Sequence, residues 1–173
     1  MAEYGKILLI AMPAFLVLVL LEKLYGWYKG NDTVPLDDAV SSMSSGMTNV
    51  LKDVLGLSIQ IVLYGTLLDH FSLFTIDNTI LVYFIAFMVI DLYGYWTHRI
   101  SHKVNLFWNE HVIHHSSEEF NLACALRQPG STIVRFFTIL LIPAAIFGVP
   151  TEVIATVLPL HLFMQFWYHT RHI

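Results

Sequence analysis

The chain has 173 residues, of which 56% are hydrophobic and 13% are charged, and its formal net charge at pH 7 is −4. Soluble domains carry about 25% charged residues, so this composition excludes an ordinary water-soluble globule. The acidic balance and the lack of a basic stripe argue against nucleic acid as a partner. The single cysteine, Cys124, excludes an internal disulfide framework, and we expect it to be a packing residue.

Five apolar segments predict an all-α fold, a polytopic membrane helical bundle. In chain order they cover about residues 6–25, 54–68, 79–97, 133–147 and 151–168. A spanning helix needs about 20 apolar residues, so the second and fourth segments are short and could be re-entrant or tilted. Pro13 predicts a kink in the first helix, and residues 148–150 predict a tight hairpin between the last two. The polar residues 30–45 predict a surface loop.

Basic residues are distributed unevenly among the predicted connections. In a five-span arrangement, eight of the nine Lys and Arg residues fall on one side of the membrane, and Lys6 is the exception. The positive-inside rule assigns that side to the cytoplasm. Both histidine clusters lie there, so the sequence predicts about five membrane helices with a cytoplasmic histidine-rich cap. The membrane would be a bacterial inner membrane or the endoplasmic reticulum.

The two histidine clusters follow the third apolar segment as His98-x-x-x-His102 and His111-x-x-His114-His115. Residues three or four apart share a face of a helix, so each cluster can direct several imidazoles at one point. Neutral imidazole suits zinc, copper, iron and nickel, and five histidines exceed the four ligands of one structural zinc. We therefore predict metal ligands here, rather than a solvated loop that happens to be rich in histidine.

The third and fifth segments offer further candidates. His161, Gln165 and His169 recur every four residues, and His169 lies level with the clusters, so we expect it to be a sixth ligand. Gln165 could bind metal weakly or orient a ligand, and His161 is either a ligand or a packed neutral histidine. His172 is a ligand only if the last helix continues. Asp91 is ionisable within a span, so it either accepts a hydrogen bond from a ligating imidazole or is an interfacial acid that reaches water.

The segment after the first cluster carries local signals. We expect residues 111–115 to lie on one face of a short helix, and Ser116-x-x-Glu119 matches a capping box that begins another helix. Arg127 and Gln128 could hold a lipid headgroup or a carboxylate of the site. Alternatively, the arginine snorkels to the membrane interface.

With these motifs, the chain resembles the fatty acid hydroxylase/sterol desaturase superfamily of membrane di-iron oxygenases. The resemblance rests on D-L-Y-G-Y-W-T-H-R-I-S-H at residues 91–102 and L-F-W-N-E-H-V-I-H-H at residues 106–115. Residues 116–128 and 165–170 are most similar to the alkylglycerol monooxygenase branch. The resemblance divides the chain into membrane anchor helices with a polar loop, residues 1–90, and a hydroxylase-like domain, residues 91–173.

The resemblance implies a non-haem centre of two irons that activates dioxygen to hydroxylate, cleave or desaturate a lipid at a C–H bond, in lipid or sterol metabolism. The ligands implied by the matching motifs are His98, His102, His111, His114, His115 and His169. An external electron donor, either a tetrahydropterin or a redox partner protein, is implied as well. The family carries a further His-x-x-His-His box downstream, so the resemblance also implies a C-terminally truncated chain with incomplete activity. Lys103 departs from the acidic residue that some alkylglycerol monooxygenases have at that position.

Two other classes of function remain open from the sequence. One is a truncated, catalytically incomplete membrane protein that binds metal without enzyme activity, such as a zinc-holding scaffold. The other is a cytochrome that binds haem through paired axial histidines on two spans. Five histidines in one stretch fit the haem interpretation poorly, because each haem uses at most two axial ligands.

Overall fold

The computed structural model describes residues 2–127 and 133–170, and the candidate residues Gln128 and His172 lie outside these ranges. Every regular element within them is helical, which confirms an all-α fold. The α-helices are α1 (Ala2–Tyr28), α2 (Leu36–Phe71), α3 (Thr79–Lys103), α4 (Asn105–His111), α5 (Ile142–Ile146) and α6 (Thr151–Phe166). Short 3₁₀ segments cover His114–Ser116, Cys124–Leu126 and Ile133–Leu141.

Helix α2 is much longer than the apolar segment that predicted it. The helix begins at Leu36 and has 36 residues, so the surface loop predicted for residues 30–45 is wrong beyond residue 35. Asp37 and Asp38 lie in its first turn, where a carboxylate interacts favourably with the positive end of the helix dipole. This interaction stabilises the polar, N-terminal half of α2, and it does not depend on apolar residues.

The described residues group into two compact units. The first unit comprises residues 2–53, 109–127 and 163–170, and the second comprises residues 54–108 and 133–162. Buried apolar side chains form the core of the first unit: Val19, Val34, Ala39, Leu122, Ala123, Ala125 and Phe166. In the second unit, the fully buried Tyr64 hydroxyl donates a hydrogen bond to the carbonyl of Val149 at 2.7 Å. The division of the chain at residue 90 stays a prediction.

Two helices in the described part of the chain are long and apolar enough to cross a bilayer, Ile10–Tyr28 and Thr79–Lys103. Phe137–Ile146 and Thr151–Phe166 are apolar but shorter. These helices indicate a membrane protein, whereas the five-span arrangement and the cytoplasmic cap stay predictions. Helix α3 begins at a cap, because the Asn78 side chain accepts a hydrogen bond from the Leu81 backbone N–H at 3.1 Å.

A tight turn at residues 147–150 connects α5 to α6, as the sequence predicts. The chain from Ile133 to Leu141 is 3₁₀ rather than α-helical, and α5 begins only at Ile142. Pro143 has no N–H for the i−4 carbonyl, so an α-helix cannot run through this position from the preceding turn without losing a hydrogen bond. At the turn, Gly148 has φ +67°. A Cβ atom there would overlap the carbonyl oxygen of Phe74, so a glycine is required.

Gly148→Ala should destabilise the protein by at least about 1–2 kcal/mol, because an L-residue in the left-handed region is strained even before the overlap with Phe74. Gly65→Ala is the matched control, since the nearest atom to its new Cβ is 3.9 Å away and alanine favours the helix. Chemical denaturation in detergent, followed by circular dichroism, measures both. Equal stability of the Gly148→Ala variant and the parent would contradict the turn described above.

Candidate metal centre

Helix α3 brings together the first two predicted ligands. His98 and His102 lie one turn apart, and their Nε2 atoms are separated by 3.1 Å. The helix continues to Lys103, so both residues share one regular face as their spacing predicts. The Trp108 ring lies 5.4 Å from the His102 ring, centroid to centroid. Helix α3 thus presents a pair of imidazole nitrogens at close range within the second unit.

In the first unit, the chain leaves the α-helix at His111, so the prediction of one helix over residues 111–115 is wrong. Residues His114–Ser116 form a 3₁₀ turn instead. The Ser116 hydroxyl donates to the Ile113 carbonyl at 2.7 Å. Such a local side-chain bond competes with the helical ladder. The His111 and His115 rings nevertheless come together, with their Nε2 atoms 3.2 Å apart.

His169, the predicted sixth ligand, lies just beyond α6 and beside His114. Their Nε2 atoms are 3.3 Å apart and their ring centroids 5.2 Å apart. The His114 ring also lies 5.5 Å from the His111 ring and 5.1 Å from the His115 ring. His111, His114, His115 and His169 therefore form one group within the first unit, which we call the four-histidine cluster.

Hydrogen bonds to backbone carbonyls define which nitrogens of His114 and His169 can bind a metal. His114 Nδ1 lies 2.7 Å from the Arg127 carbonyl oxygen, and His169 Nδ1 lies 3.2 Å from the Gln165 carbonyl oxygen. A carbonyl only accepts, so both Nδ1 atoms donate, and a neutral imidazole carries a single N–H. When both rings are neutral, neither Nε2 atom carries a hydrogen, and the two atoms lie 3.3 Å apart. A shared cation would then satisfy both lone pairs.

The spacing of the nitrogens also fits a metal ion. Imidazole nitrogens bind zinc at about 2.0–2.1 Å, so two of them on one ion at roughly 90–110° are about 2.8–3.4 Å apart. The Nε2 separations of the three pairs, 3.1, 3.2 and 3.3 Å, all lie in this range. Each separation is therefore short enough for one first-row metal ion to contact both nitrogens.

The environment of His169 favours the protonation state that metal binding needs. Burial, and to a smaller extent the neighbouring His114, lowers the pKa of His169 below its usual value. Desolvation disfavours the charged imidazolium, and only the neutral imidazole has a lone pair to donate. The ring is therefore prepared to act as a ligand.

Three further candidate residues are not members of the four-histidine cluster, namely Asp91, His161 and Gln165. Asp91 accepts a hydrogen bond from His161 Nε2 at 3.0 Å within the second unit, and the His161 side chain is 7% exposed. His161 also contacts the Phe87 ring, as a packed histidine would. Gln165 orients a ligand candidate, as one of its expected roles requires, but it does so through its backbone carbonyl.

Other local predictions need correction. No helix begins at the expected capping box within the described residues, because the Ser117 hydroxyl accepts the Glu119 backbone N–H in a local turn. Arg127 does not snorkel, because its side chain is 9% exposed and pairs with the Asp38 carboxylate at 2.7 Å. It holds the carboxylate of Asp38, which is not one of the predicted site residues.

Glu22 in α1 is a further residue near the cluster, and the sequence motifs did not indicate it. Its carboxylate is buried and accepts the Leu122 backbone N–H at 2.7 Å and the Thr170 hydroxyl at 2.8 Å. Thr170 follows His169 directly, so this acid secures the segment that carries a ligand candidate. The signal that could have found it is the rule applied to Asp91, namely that an ionisable residue inside an apolar helix has a function.

The fatty acid hydroxylase family model matches residues 83–173, which is more than half of the chain. The chain belongs to the fatty acid hydroxylase family. The matched region includes all six predicted histidine ligands. No solved structure matches the chain.

Three relatives of the chain share one name. The alkylglycerol monooxygenase of Homo sapiens is 37% identical over 93% of this chain, and that of Danio rerio is 32% identical over 93%. The alkylglycerol monooxygenase of Xenopus tropicalis is 31% identical over 91% of the chain. These alignments cover 36%, 36% and 35% of the relatives, so the chain spans about a third of their length.

If His114 and His169 hold the same ion, their substitutions should not be additive. We expect His114→Asn and His169→Asn each to weaken Zn²⁺ binding by tenfold or more. The double variant should lose little affinity beyond either single change, because one substitution already breaks the shared coordination. Calorimetric titration of chelator-treated protein measures the affinities. His70→Asn is the control, since His70 is an exposed residue of α2. Additive losses in the double variant would contradict a shared ion.

Proposed function

We propose that this protein is an integral-membrane, non-haem di-iron oxidoreductase that uses dioxygen to oxidise a C–H bond of a lipid. Hydroxylation, ether-lipid cleavage and desaturation are all reactions of this class. The observation that carries the proposal is the close approach of the Nε2 atoms of His114 and His169, whose Nδ1 atoms both donate to carbonyls, within a chain of the fatty acid hydroxylase family. The name of the relatives, alkylglycerol monooxygenase, favours a glycerol ether lipid as substrate.

In this proposal, six histidines are the protein ligands of two irons. The ligands are His98, His102, His111, His114, His115 and His169. Bound iron would supply the activation of dioxygen that attack on an unactivated C–H bond requires. The protein supplies neutral imidazoles with their lone pairs in place, and the Arg127 and Gln165 carbonyls keep two of these rings from turning.

The apolar helix faces give the lipid its place in this proposal. In α1 and α3, large apolar side chains such as Leu20, Leu24, Ile80 and Phe84 are exposed, and acyl chains of a bilayer would cover them. Near the C-terminal end of α3, the Arg99 guanidinium donates to the Tyr95 hydroxyl at 2.7 Å. Aromatic and basic residues of this kind mark a membrane interface. A lipid substrate could then reach the histidines from the bilayer, with the histidines on the cytoplasmic side.

Electrons for this reaction must come from a separate donor, a tetrahydropterin or a redox partner protein. A second candidate function is a metal-binding membrane protein without enzyme activity. The observation that favours it is the donor set, because closely spaced imidazoles suit zinc as well as iron.

Metal analysis of the purified chain, reconstituted anaerobically with Fe²⁺, distinguishes these functions. The proposal predicts about two irons per chain, no Soret band, and an oxidised lipid product when reductant, dioxygen and an alkylglycerol are added. Bound zinc with no retention of iron would favour the scaffold, and a Soret band would favour a haem protein. Stoichiometric iron without product would support the inactive metal-binding alternative.

Membrane orientation can be tested separately by cysteine labelling in intact bacterial cells. Asn31→Cys follows α1, and Asp77→Cys lies between α2 and α3; both positions are exposed. If the histidine side is cytoplasmic, an impermeant maleimide should label Asp77→Cys but not Asn31→Cys until the cells are lysed. The parent chain is the control, since its single cysteine, Cys124, is buried. Labelling of Asn31→Cys in intact cells would contradict the orientation.

A further inference from the structure

A largely buried ion pair joins the start of α2 to the segment that follows His115. Arg127 Nη2 lies 2.7 Å from Asp38 Oδ1, and these side chains are only 9% and 16% exposed. The guanidinium also donates from Nε to the Ser42 hydroxyl at 2.8 Å and from Nη1 to the Ser116 hydroxyl at 3.0 Å. Ser117 donates to the same Asp38 oxygen at 2.8 Å. Each guanidinium nitrogen therefore has an acceptor.

The backbone of Arg127 is directly connected to a ligand candidate. Its carbonyl oxygen accepts the hydrogen bond from His114 Nδ1 at 2.7 Å. The Arg127 N–H donates to the Cys124 carbonyl at 3.0 Å, which closes the 3₁₀ turn behind it. The side chain and the N–H of Arg127 thus hold the residue whose carbonyl oxygen accepts from His114 Nδ1.

We propose that Asp38 and Arg127 are positioning residues for the metal ligand His114, an inference that rests on the proposed function. Neither residue needs to touch the metal. The ion pair holds the Arg127 carbonyl in place, and that carbonyl keeps the hydrogen of His114 on Nδ1 and its Nε2 lone pair directed at His169. Hydrogen-bond partners of ligating imidazoles typically change metal affinity by about 10–100-fold when they are lost.

The fork shape of arginine is essential to this role. A lysine at position 127 would keep the positive charge and the backbone carbonyl, but its compact ammonium cannot meet the acceptors on Asp38, Ser42 and Ser116 in one planar arrangement. Asp38→Asn keeps the shape of the side chain and removes the charge, which leaves the buried guanidinium without a counter-ion. Both variants should therefore loosen His114 while every histidine remains present.

The test is a Co²⁺ titration of the purified, chelator-treated chain in detergent, read by the visible d–d absorption bands of the ion. We expect Arg127→Lys and Asp38→Asn to bind Co²⁺ about tenfold or more weakly, with bands of altered position or intensity. Asp32→Asn is the matched control, because it removes the charge from a more exposed ion pair of the same unit. In that pair, Lys23 Nζ lies 3.3 Å from Asp32 Oδ1. The control variant should retain the affinity and spectrum of the parent.

The outcomes distinguish a failure of this inference from a failure of the proposed function. If the parent binds Co²⁺ and both variants bind it with unchanged affinity and bands, the ion pair serves the fold alone and the inference is wrong. If the parent itself binds no Co²⁺, both the metal centre and the inference are overturned. Arg127→Lys carries the test if Asp38→Asn does not fold, and the unfolding temperature of the metal-free variants identifies that case.

Discussion

The constraint on which the candidate site depends is the hydrogen bonding of two imidazoles to backbone carbonyls. The Arg127 and Gln165 carbonyls each accept from an Nδ1 atom, which leaves the Nε2 lone pairs of His114 and His169 opposed at 3.3 Å. When both rings are neutral, no hydrogen lies between the two half-buried nitrogens, and a cation there would satisfy both lone pairs. The two carbonyls come from the end of α6, which carries Gln165, and from Arg127, which follows the 3₁₀ segment Cys124–Leu126.

Buried acids of the first unit support the same arrangement from outside the cluster. Glu22 holds the segment around Thr170, and Asp38 holds Arg127. Burying a carboxylate costs several kcal/mol, which its hydrogen bonds and ion pairs must offset. The apolar helices provide the anchor, whereas these few charged side chains position the ligands.

How much the sequence could predict differs between the site and the fold. The one-turn spacing of His98 and His102 predicted their pairing correctly, because both lie on one uninterrupted helix. The 3₁₀ turn at His114 was missed, because it depends on a local bond of Ser116. The early start of α2 was missed because its first half is polar, and the partners of Glu22 were missed because they lie about 100 and 148 residues away in the sequence. The number of spans and the set of metal ligands stay predictions.

The most direct test of the central claim is the protonation of the two opposed rings, measured by ¹⁵N NMR of histidine-labelled, metal-free protein near neutral pH. Assignment uses the loss of signals in variants that lack His114 or His169. The hydrogen bonds to the two carbonyls predict a hydrogen on Nδ1 of both rings, and a shared metal site requires that neither Nε2 carries one. A hydrogen on Nε2 of either ring, or a charged imidazolium, would mean that a simple hydrogen bond joins the pair, and the case for a metal between them would fail.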